Sequence, residues 1–168
     1  MTISRCAEWF SKSKKDFMID LTTLTIATAR KKLDAKEFSA VDLALAYLNE
    51  IKKKNKKLNA YLEIYDDVLD QAKISDEMIA KGESYPMLGI PLAVKDIILI
   101  KGKKVSAGSK ILENYIASYD ATVITKLKKQ GAVFLGRTNM DEFALGSSTE
   151  NSAYGVTKNP HDNSRVSG

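Results

Sequence analysis

A lysine followed by an aspartate ends an apolar stretch near the middle of the chain. The stretch reads LGIPLAVKD, and Lys95 and Asp96 are its only charged residues. An apolar run of this length after turn-forming residues predicts a buried strand, whose successive side chains point to opposite faces. Burial lowers the pKa of a lysine, and a neutral lysine can act as a general base. Lys95 is therefore a candidate catalytic base; the alternative is a strand-end lysine that reaches solvent or forms an ion pair. Asp96, on the other face, is expected to accept hydrogen bonds from nearby backbone N–H groups.

Three consecutive hydroxyl side chains form a second candidate for chemistry. Ser147, Ser148 and Thr149 follow the segment GRTNMDEFA, which leaves the predicted strand 132–136. Ligands of open α/β sheets bind just beyond the carboxyl ends of strands, where this segment lies. The three hydroxyls are therefore candidates for lining a substrate pocket. The alternative is a cluster that only caps a helix or stabilises a turn.

The composition is that of one soluble globular domain. The chain has 168 residues, of which 44% are hydrophobic and 28% charged, and its net charge is +5. Most of the cations are lysines, which lack the planar fork with which arginine binds phosphate, so the charge is weak evidence for a nucleic-acid partner. The arginines are Arg5, Arg30, Arg137 and Arg165.

The cysteine and histidine content excludes two kinds of site. Cys6 is the only cysteine and His161 the only histidine, so neither an intrachain disulfide nor a zinc site of Cys and His ligands can form. No run reaches the roughly 18 apolar residues of a membrane span.

The first residues combine lysines with a short apolar run. Secretion signals and organellar transit peptides share features with this pattern, but Asp20 and several threonines interrupt the run. We expect residues 1–17 to be a disordered extension and Met18 to open the domain.

Hydrophobic periodicity predicts alternating helices and strands. The predicted helices cover residues 23–33, 39–57, 66–81, 121–130 and 140–145, and the predicted strands cover 60–64, 89–97 and 132–136. Ser39, Asp120 and Asn139 are the predicted N-caps, and Gly82 and Gly131 the predicted helix ends. Strands 89–97 and 132–136, joined through helix 121–130, are expected to be parallel.

The second predicted helix ends in a cluster of lysines, Lys52–Lys57 interrupted by Asn55. Cations there complement the negative end of the helix dipole. The alternative is a surface that binds a polyanion.

Three motifs in fixed order carry a resemblance to a known family. The runs LGIPLAVKD, GAVFLGRTNMDEFALGSSTENSAYG and VTKNPHDNSRVSG resemble the amidase signature family, and the likeness covers residues 18–168. TNMDEFALGSSTENSAYG followed by KNP resembles, within that family, the A subunits of glutamyl-tRNA(Gln) amidotransferases. The resemblance implies an α/β fold with a mixed sheet flanked by helices.

The same resemblance implies a Ser-cisSer-Lys triad in which Lys95 is the base. The family's relay serine follows residues like Arg165–Gly168 in a Gly/Ser-rich segment, and its nucleophilic serine lies further on. Ser167 precedes that segment and matches neither serine. We therefore expect residues 18–168 to be the N-terminal portion of a single amidase domain and to be inactive alone.

A glutaminase function in translation is also implied by the resemblance. Glutamine would supply ammonia to convert misacylated Glu-tRNA(Gln) to Gln-tRNA(Gln), in complex with the B and C subunits of the amidotransferase. ATP and magnesium would be used by the partner subunit, whereas this chain needs neither cofactor nor metal, and the complex would act in the cytoplasm or an organellar matrix. The alternatives are a stand-alone amidase acting on a small amide, and a non-catalytic assembly module that makes contact through its basic helix end.

Overall fold

A three-stranded sheet packed against helices forms the part of the chain that the computed structural model describes, residues 19–167. The expected extension over residues 1–17 and the domain start at Met18 lie outside the described residues. The helices are α1 (Ile26–Asp34), α2 (Ala40–Leu58), α3 (Val68–Ala80) and α4 (Thr122–Lys129), followed by a short 3₁₀ turn (Glu142–Ala144). The strands are β1 (Tyr61–Ile64), β2 (Pro91–Lys95) and β3 (Val133–Thr138).

The start of α2 is fixed from two sides. Ser39 and Asp42 form a reciprocal capping box, which confirms the predicted cap. Asp76 of α3 also accepts hydrogen bonds from the backbone N–H groups of Ala40, at 2.6 Å, and Val41, at 3.1 Å. Burial raises the pKa of the Asp76 carboxyl, although these two bonds partly oppose that effect. The two long helices are thereby joined where they pack together.

Strand β3 lies at the centre of a mixed sheet of order β1-β3-β2. β2 is parallel to β3 and β1 is antiparallel to it. The parallel pairing and the α/β fold class are therefore confirmed. Gly136 allows β1 to approach, because a Cβ atom there would lie 2.1 Å from the carbonyl oxygen of Glu63.

Strand β2 is only half covered, contrary to the prediction of a buried strand. Val94 is buried, whereas Ala93 and Lys95 are exposed. The reason is that only one face of β2 packs on the core of the described residues. β3, in contrast, is buried from Val133 to Arg137.

The predicted cap of α4 is wrong. Asp120 does not cap the helix; its carboxylate instead accepts hydrogen bonds from the backbone N–H of Lys101, at 2.8 Å, and from Lys128 Nζ, at 2.8 and 2.9 Å. Ala121 occupies the cap position without a side-chain bond. The loop amide and the lysine satisfy the carboxylate, so it is not available to the helix start.

The prediction of a helix over 140–145 is also wrong, because only the 3₁₀ turn forms there. Phe143 and Ala144 have φ of 51° and 63°, which no right-handed helix accommodates. Asn139 Oδ1 accepts the adjacent backbone N–H of Met140, at 2.9 Å, and otherwise faces a loop instead of a helix start.

Helix α1 begins at Ile26 and not at the predicted residue 23, because Thr25 and Thr28 form its capping box.

The exposed edge of β2 leads to a prediction about self-association. Unpaired strand edges with apolar neighbours are templates for pairing with another chain, and a charge on the edge opposes this. The polypeptide 1–168 should therefore self-associate, and Ala93→Lys, on the exposed face of β2, should reduce the association. Sedimentation velocity at several concentrations measures the effect.

Ala35→Lys is the matched control, since it adds the same charge at an exposed site after α1. If wild-type chain sediments as a monomer and melts in one sharp transition, residues 19–167 close a core of their own and the prediction is contradicted.

Candidate active-site cleft

Lys95 lies at the carboxyl end of β2, beside Thr138 at the end of the neighbouring β3. The two residues are paired in the parallel register and face an open cleft of about 250 Å³. The cleft also takes in residues from the loop that follows the 3₁₀ turn, so it lies where ligands of α/β sheets bind. Among the residues that line it are Lys95, Thr138, Ser147, Thr149, Thr157 and Ser167.

The Lys95 side chain has no ion-pair or hydrogen-bond partner among residues 19–167. Of the two alternatives to a catalytic base, the ion pair with a carboxylate is therefore not formed among these residues. The other alternative, a lysine that reaches solvent, agrees with the exposure of Lys95. The strand stops at Lys95 because its carbonyl accepts the N–H groups of Ile97, at 2.8 Å, and Ile98, at 2.9 Å, which turns the chain. Lys95 lines the cleft together with the hydroxyl residues Thr138, Ser147 and Thr149.

The structure brings two of the three candidate hydroxyl residues to this cleft. Ser147 and Thr149 line it with Lys95. Ser148 does not; its hydroxyl donates to the carboxylate of Glu150, at 2.8 Å. Sequence reasoning missed Thr138 and Thr157, which reach the cleft from β3 and from the far end of the loop.

Asp141 anchors the loop that carries these hydroxyls. Its buried carboxylate accepts the backbone N–H groups of Thr149, at 2.9 Å, and Asn151, at 3.0 Å. Desolvation alone would raise the pKa of Asp141, but hydrogen bonds from the backbone N–H groups of Asn151, Thr149 and Ser148 outweigh it and lower the pKa. Gly146 is required beside it, because a Cβ there would lie 2.4 Å from Asp141 Cγ.

Asn139 holds the end of the same loop. Its Nδ2 donates to the carbonyl of Gly155, at 2.7 Å, and to Thr157 Oγ1, at 3.1 Å. Its Oδ1 accepts from Ser152 Oγ at 2.6 Å. Sequence reasoning assigned Asn139 and Asp141 to a helix start; the signal that indicates their true role is the Gly- and Ser-rich loop directly after them, whose amides need acceptors.

Residues with positive φ cluster around the cleft. Thr149, Phe143, Ala144 and Ala107 have φ of 64°, 51°, 63° and 49°. Such conformations cost non-glycine residues on the order of 1–3 kcal/mol each and persist only where the surroundings enforce them. Here the Asp141 carboxylate holds the N–H of Thr149, while the carbonyl of Asp96 holds the N–H of Ala107 and the carbonyl of Ala107 holds that of Phe143.

Asp96 lies behind the cleft, and its contacts confirm the expected hydrogen bonds from backbone N–H groups. It is 1% exposed and accepts the backbone N–H groups of Ser106, at 2.9 Å, and Gly108, at 3.0 Å, and the Ser106 hydroxyl. Arg137 Nη1 of β3 donates to it at 2.8 Å, and Arg137 Nε donates to Glu63 at 2.8 Å. Burial alone would lower the pKa of the Arg137 guanidinium, but these two carboxylates outweigh it and raise the pKa.

The segment held by Asp96 in turn supports the cleft loop. The carbonyl of Ala107 accepts the N–H of Phe143, at 2.8 Å, and that of Gly108 accepts the N–H of Ala153, at 2.9 Å. Gly108 has to be glycine at φ 66°, where a Cβ would lie 2.6 Å from the carbonyl oxygen of Met140. Lys95 and Asp96 therefore act on opposite faces of one strand end: one faces the cleft, and the other holds its wall.

The chemistry available is proton transfer and hydrogen bonding. A lysine without a carboxylate partner, when neutral, can accept a proton from a hydroxyl within reach. Within residues 19–167 no three His, Cys, Asp or Glu side chains are grouped so as to hold a metal ion. None of the described helices is both long and apolar enough to cross a bilayer.

Comparison with known proteins decides the family. The family model described as Amidase matches residues 42–168. The chain belongs to the amidase family. It is 50% identical over 149 residues to the A subunit of glutamyl-tRNA(Gln) amidotransferase of Desulfatibacillum aliphaticivorans, an alignment that covers 88% of this chain and 31% of that protein.

Solved structures of the family share the fold. Peptide amidase from Stenotrophomonas maltophilia superposes with a TM-score of 0.77 at 32% identity, over 84% of this chain and 31% of that one. The A subunit of glutamyl-tRNA(Gln) amidotransferase from Thermotoga maritima does so with a TM-score of 0.69 at 36% identity, over 89% of this chain and 30% of that one. The amidase chain thus spans about a third of the length of the relatives it matches.

Replacing Asp96 should destabilise the fold. In Asp96→Asn, Arg137 loses one carboxylate partner inside the protein, and breaking a buried pair in this way costs about 3 kcal/mol. We expect a lower midpoint of urea unfolding, followed by circular dichroism. Asp162→Asn, which removes an exposed pair with Arg165, is the control and should leave the midpoint unchanged. An Asp96→Asn chain that unfolds like wild type would contradict the role assigned to Asp96.

Acidification should loosen the cleft loop through Asp141. The pKa of the Asp141 carboxyl in the folded protein lies below its ordinary value of 3.8, so the ionised carboxylate stabilises the fold at pH values above 3.8. This stabilisation is lost as the pH falls through the lower pKa of the folded protein. Exchange protection of the Thr149 and Asn151 amides should therefore hold at pH 5 and fall below about pH 4. Hydrogen exchange, corrected for the intrinsic rate at each pH, measures this. In Asp141→Asn the dependence should disappear, whereas Asp70→Asn, at an exposed site on α3, should retain it; equal pH dependence in both variants would refute the assignment.

Proposed function

We propose that this chain carries the lysine-bearing part of a glutaminase, the A subunit of a glutamyl-tRNA(Gln) amidotransferase. The observation that supports it most is the cleft that unites Lys95, free of any ion pair among the described residues, with the hydroxyls of Ser147 and Thr149. The 50% identity to one such protein supports the choice within the family.

In this proposal Lys95 is the base of a Ser-cisSer-Lys triad. The amine, in its neutral form, takes a proton through the relay serine from the serine that attacks the amide carbon of glutamine. Lys95 returns the proton to the leaving nitrogen, the C–N bond breaks, and ammonia leaves an acyl-serine behind. Water then attacks the acyl-serine, which releases glutamate and restores the serine hydroxyl. Ser147 and Thr149 line the substrate pocket, whereas the hydroxyl of Ser148 donates to Glu150 and does not reach it.

The released ammonia would serve a partner in the same complex. That partner, the B subunit, would use ATP and magnesium to activate the glutamate on misacylated Glu-tRNA(Gln), and a small C subunit would hold the pair together, in the cytoplasm. This chain's own step needs no metal. The reaction as a whole is that of a ligase with glutamine as amido donor. In this proposal the polypeptide 1–168 alone releases no ammonia, because none of its serines matches the relay or the nucleophilic serine.

A stand-alone amidase is the second candidate, and one observation favours it. The fold superposes better on the peptide amidase of Stenotrophomonas maltophilia, at a TM-score of 0.77, than on the Thermotoga maritima protein, at 0.69. An extended chain that releases ammonia from small amides without its partners, but not from glutamine, would establish this alternative.

The role of Lys95 is tested in a chain extended through the relay and nucleophilic serines. Lys95→Ala and Lys95→Arg should both abolish ammonia release from glutamine, because alanine has no amine and arginine stays protonated at working pH. Since Lys95 is exposed at the end of β2, the melting temperature should change little.

Lys101→Arg, at another exposed lysine, is the matched control and should keep full activity. Near-wild-type activity in Lys95→Arg would show that Lys95 is not the base.

A further inference from the structure

The last two turns of α2 carry a cluster of exposed lysines that the cleft chemistry does not use. Its members are Lys52, Lys53, Lys54, Lys56 and Lys57. Glu50 pairs with Lys53 Nζ and Lys54 Nζ, each at 2.9 Å. Lys52, Lys56 and Lys57 form no ion pair within residues 19–167.

The helix dipole explains only part of this cluster. The effect of the dipole falls off within the last turn, so it favours Lys56 and Lys57 but not Lys52 and Lys53. Lys52 and Lys56, and likewise Lys53 and Lys57, are four residues apart and therefore neighbours on the helix surface, where like charges destabilise the helix. These four residues, called here the lysine face, concentrate positive potential on one side of α2.

The lysine face is fixed next to the cleft. Asn55 Oδ1 accepts the backbone N–H groups of Ala60, at 2.9 Å, and Tyr61, at 2.8 Å, which locks the helix end onto β1. The N–H of Lys158, an exposed residue, donates to the carbonyl of Leu58 at 2.9 Å and adds a cation from a second segment. Ala60 and Thr157, which adjoin these contacts, line the Lys95 cleft.

We propose that the lysine face, with Lys158, is a docking surface for the phosphate backbone of an RNA. Charge complementarity selects a polyanion, and the choice of RNA rests on the proposed function, in which the ammonia acceptor is carried on a tRNA. Lysines are point charges without the planar fork of arginine, so binding is independent of sequence, weak and steeply dependent on salt. The position of the surface brings the RNA to the rim of the cleft.

Fluorescence anisotropy with a labelled single-stranded RNA of mixed sequence tests this on the 168-residue chain. At physiological salt we expect a dissociation constant of about 10⁻⁶–10⁻⁴ M, as for non-specific binding, and a slope of log K against log salt of about −3.5 for the five lysine–phosphate contacts of the lysine face and Lys158. The variant Lys52→Gln, Lys53→Gln, Lys56→Gln, Lys57→Gln should bind about tenfold more weakly or worse, with most of the slope gone.

The control variant removes four charges elsewhere, at Lys31, Lys81, Lys126 and Lys129, each changed to Gln. These lysines are exposed and have no ion pair within residues 19–167, and two of them are in the last turns of α4. Both variants have the same net charge, so the control should lose less than about threefold in affinity if position matters. Equal loss in both variants, or no RNA binding by wild type at 50 mM salt, overturns the proposal.

Two further measurements distinguish RNA from other polyanions, and this inference from the proposed function. Polyglutamate or vesicles containing phosphatidylserine, bound as tightly as RNA at equal charge, would overturn RNA as the partner. An extended chain that binds RNA through the lysine face but releases no ammonia would overturn the proposed function and leave this inference standing.

Discussion

The buried pair of Asp96 and Arg137 is the interaction on which the cleft depends. Removing both charges from water is costly, and their attraction offsets this only when the remaining donors and acceptors are also satisfied. Here they are: Asp96 accepts two backbone N–H groups and a hydroxyl, and Arg137 also binds Glu63 of β1. Within residues 19–167 every buried side-chain nitrogen or oxygen has a hydrogen-bond partner. The pair thereby joins all three strands to the segment behind the cleft.

Catalytic candidates and structural support are divided between two faces of one strand end. Lys95 faces the cleft, while Asp96 holds the segment from Ser106 to Gly108. Carbonyl groups of this segment in turn accept hydrogen bonds from the N–H groups of Phe143 and Ala153. Backbone strain at Ala107 and Phe143 is sustained by this arrangement. A substitution of Lys95 should therefore change activity, whereas a substitution of Asp96 should change stability.

The sequence predicted what short-range rules determine. The capping box of Ser39, the parallel strands joined by α4 and the opposite faces of Lys95 and Asp96 all follow from local spacing. It failed where a side chain binds a partner far along the chain. Asp120 and Asn139 have the residue types of helix caps, but Lys101, Lys128 and the loop up to Thr157 engage them instead. The half-covered face of β2 was missed because an apolar run does not reveal how many layers cover it.

The loop on the cleft is held mainly through its main chain. Asp141 binds the N–H groups of Thr149 and Asn151, and Asn139 binds the carbonyl of Gly155, none of which depends on a side chain of the loop. Ser147, whose side chain is exposed to the cleft, can therefore be exchanged while the course of the loop is kept. A family built on this scaffold is able to evolve new substrate preferences by single substitutions there, without refolding the platform that carries the lysine.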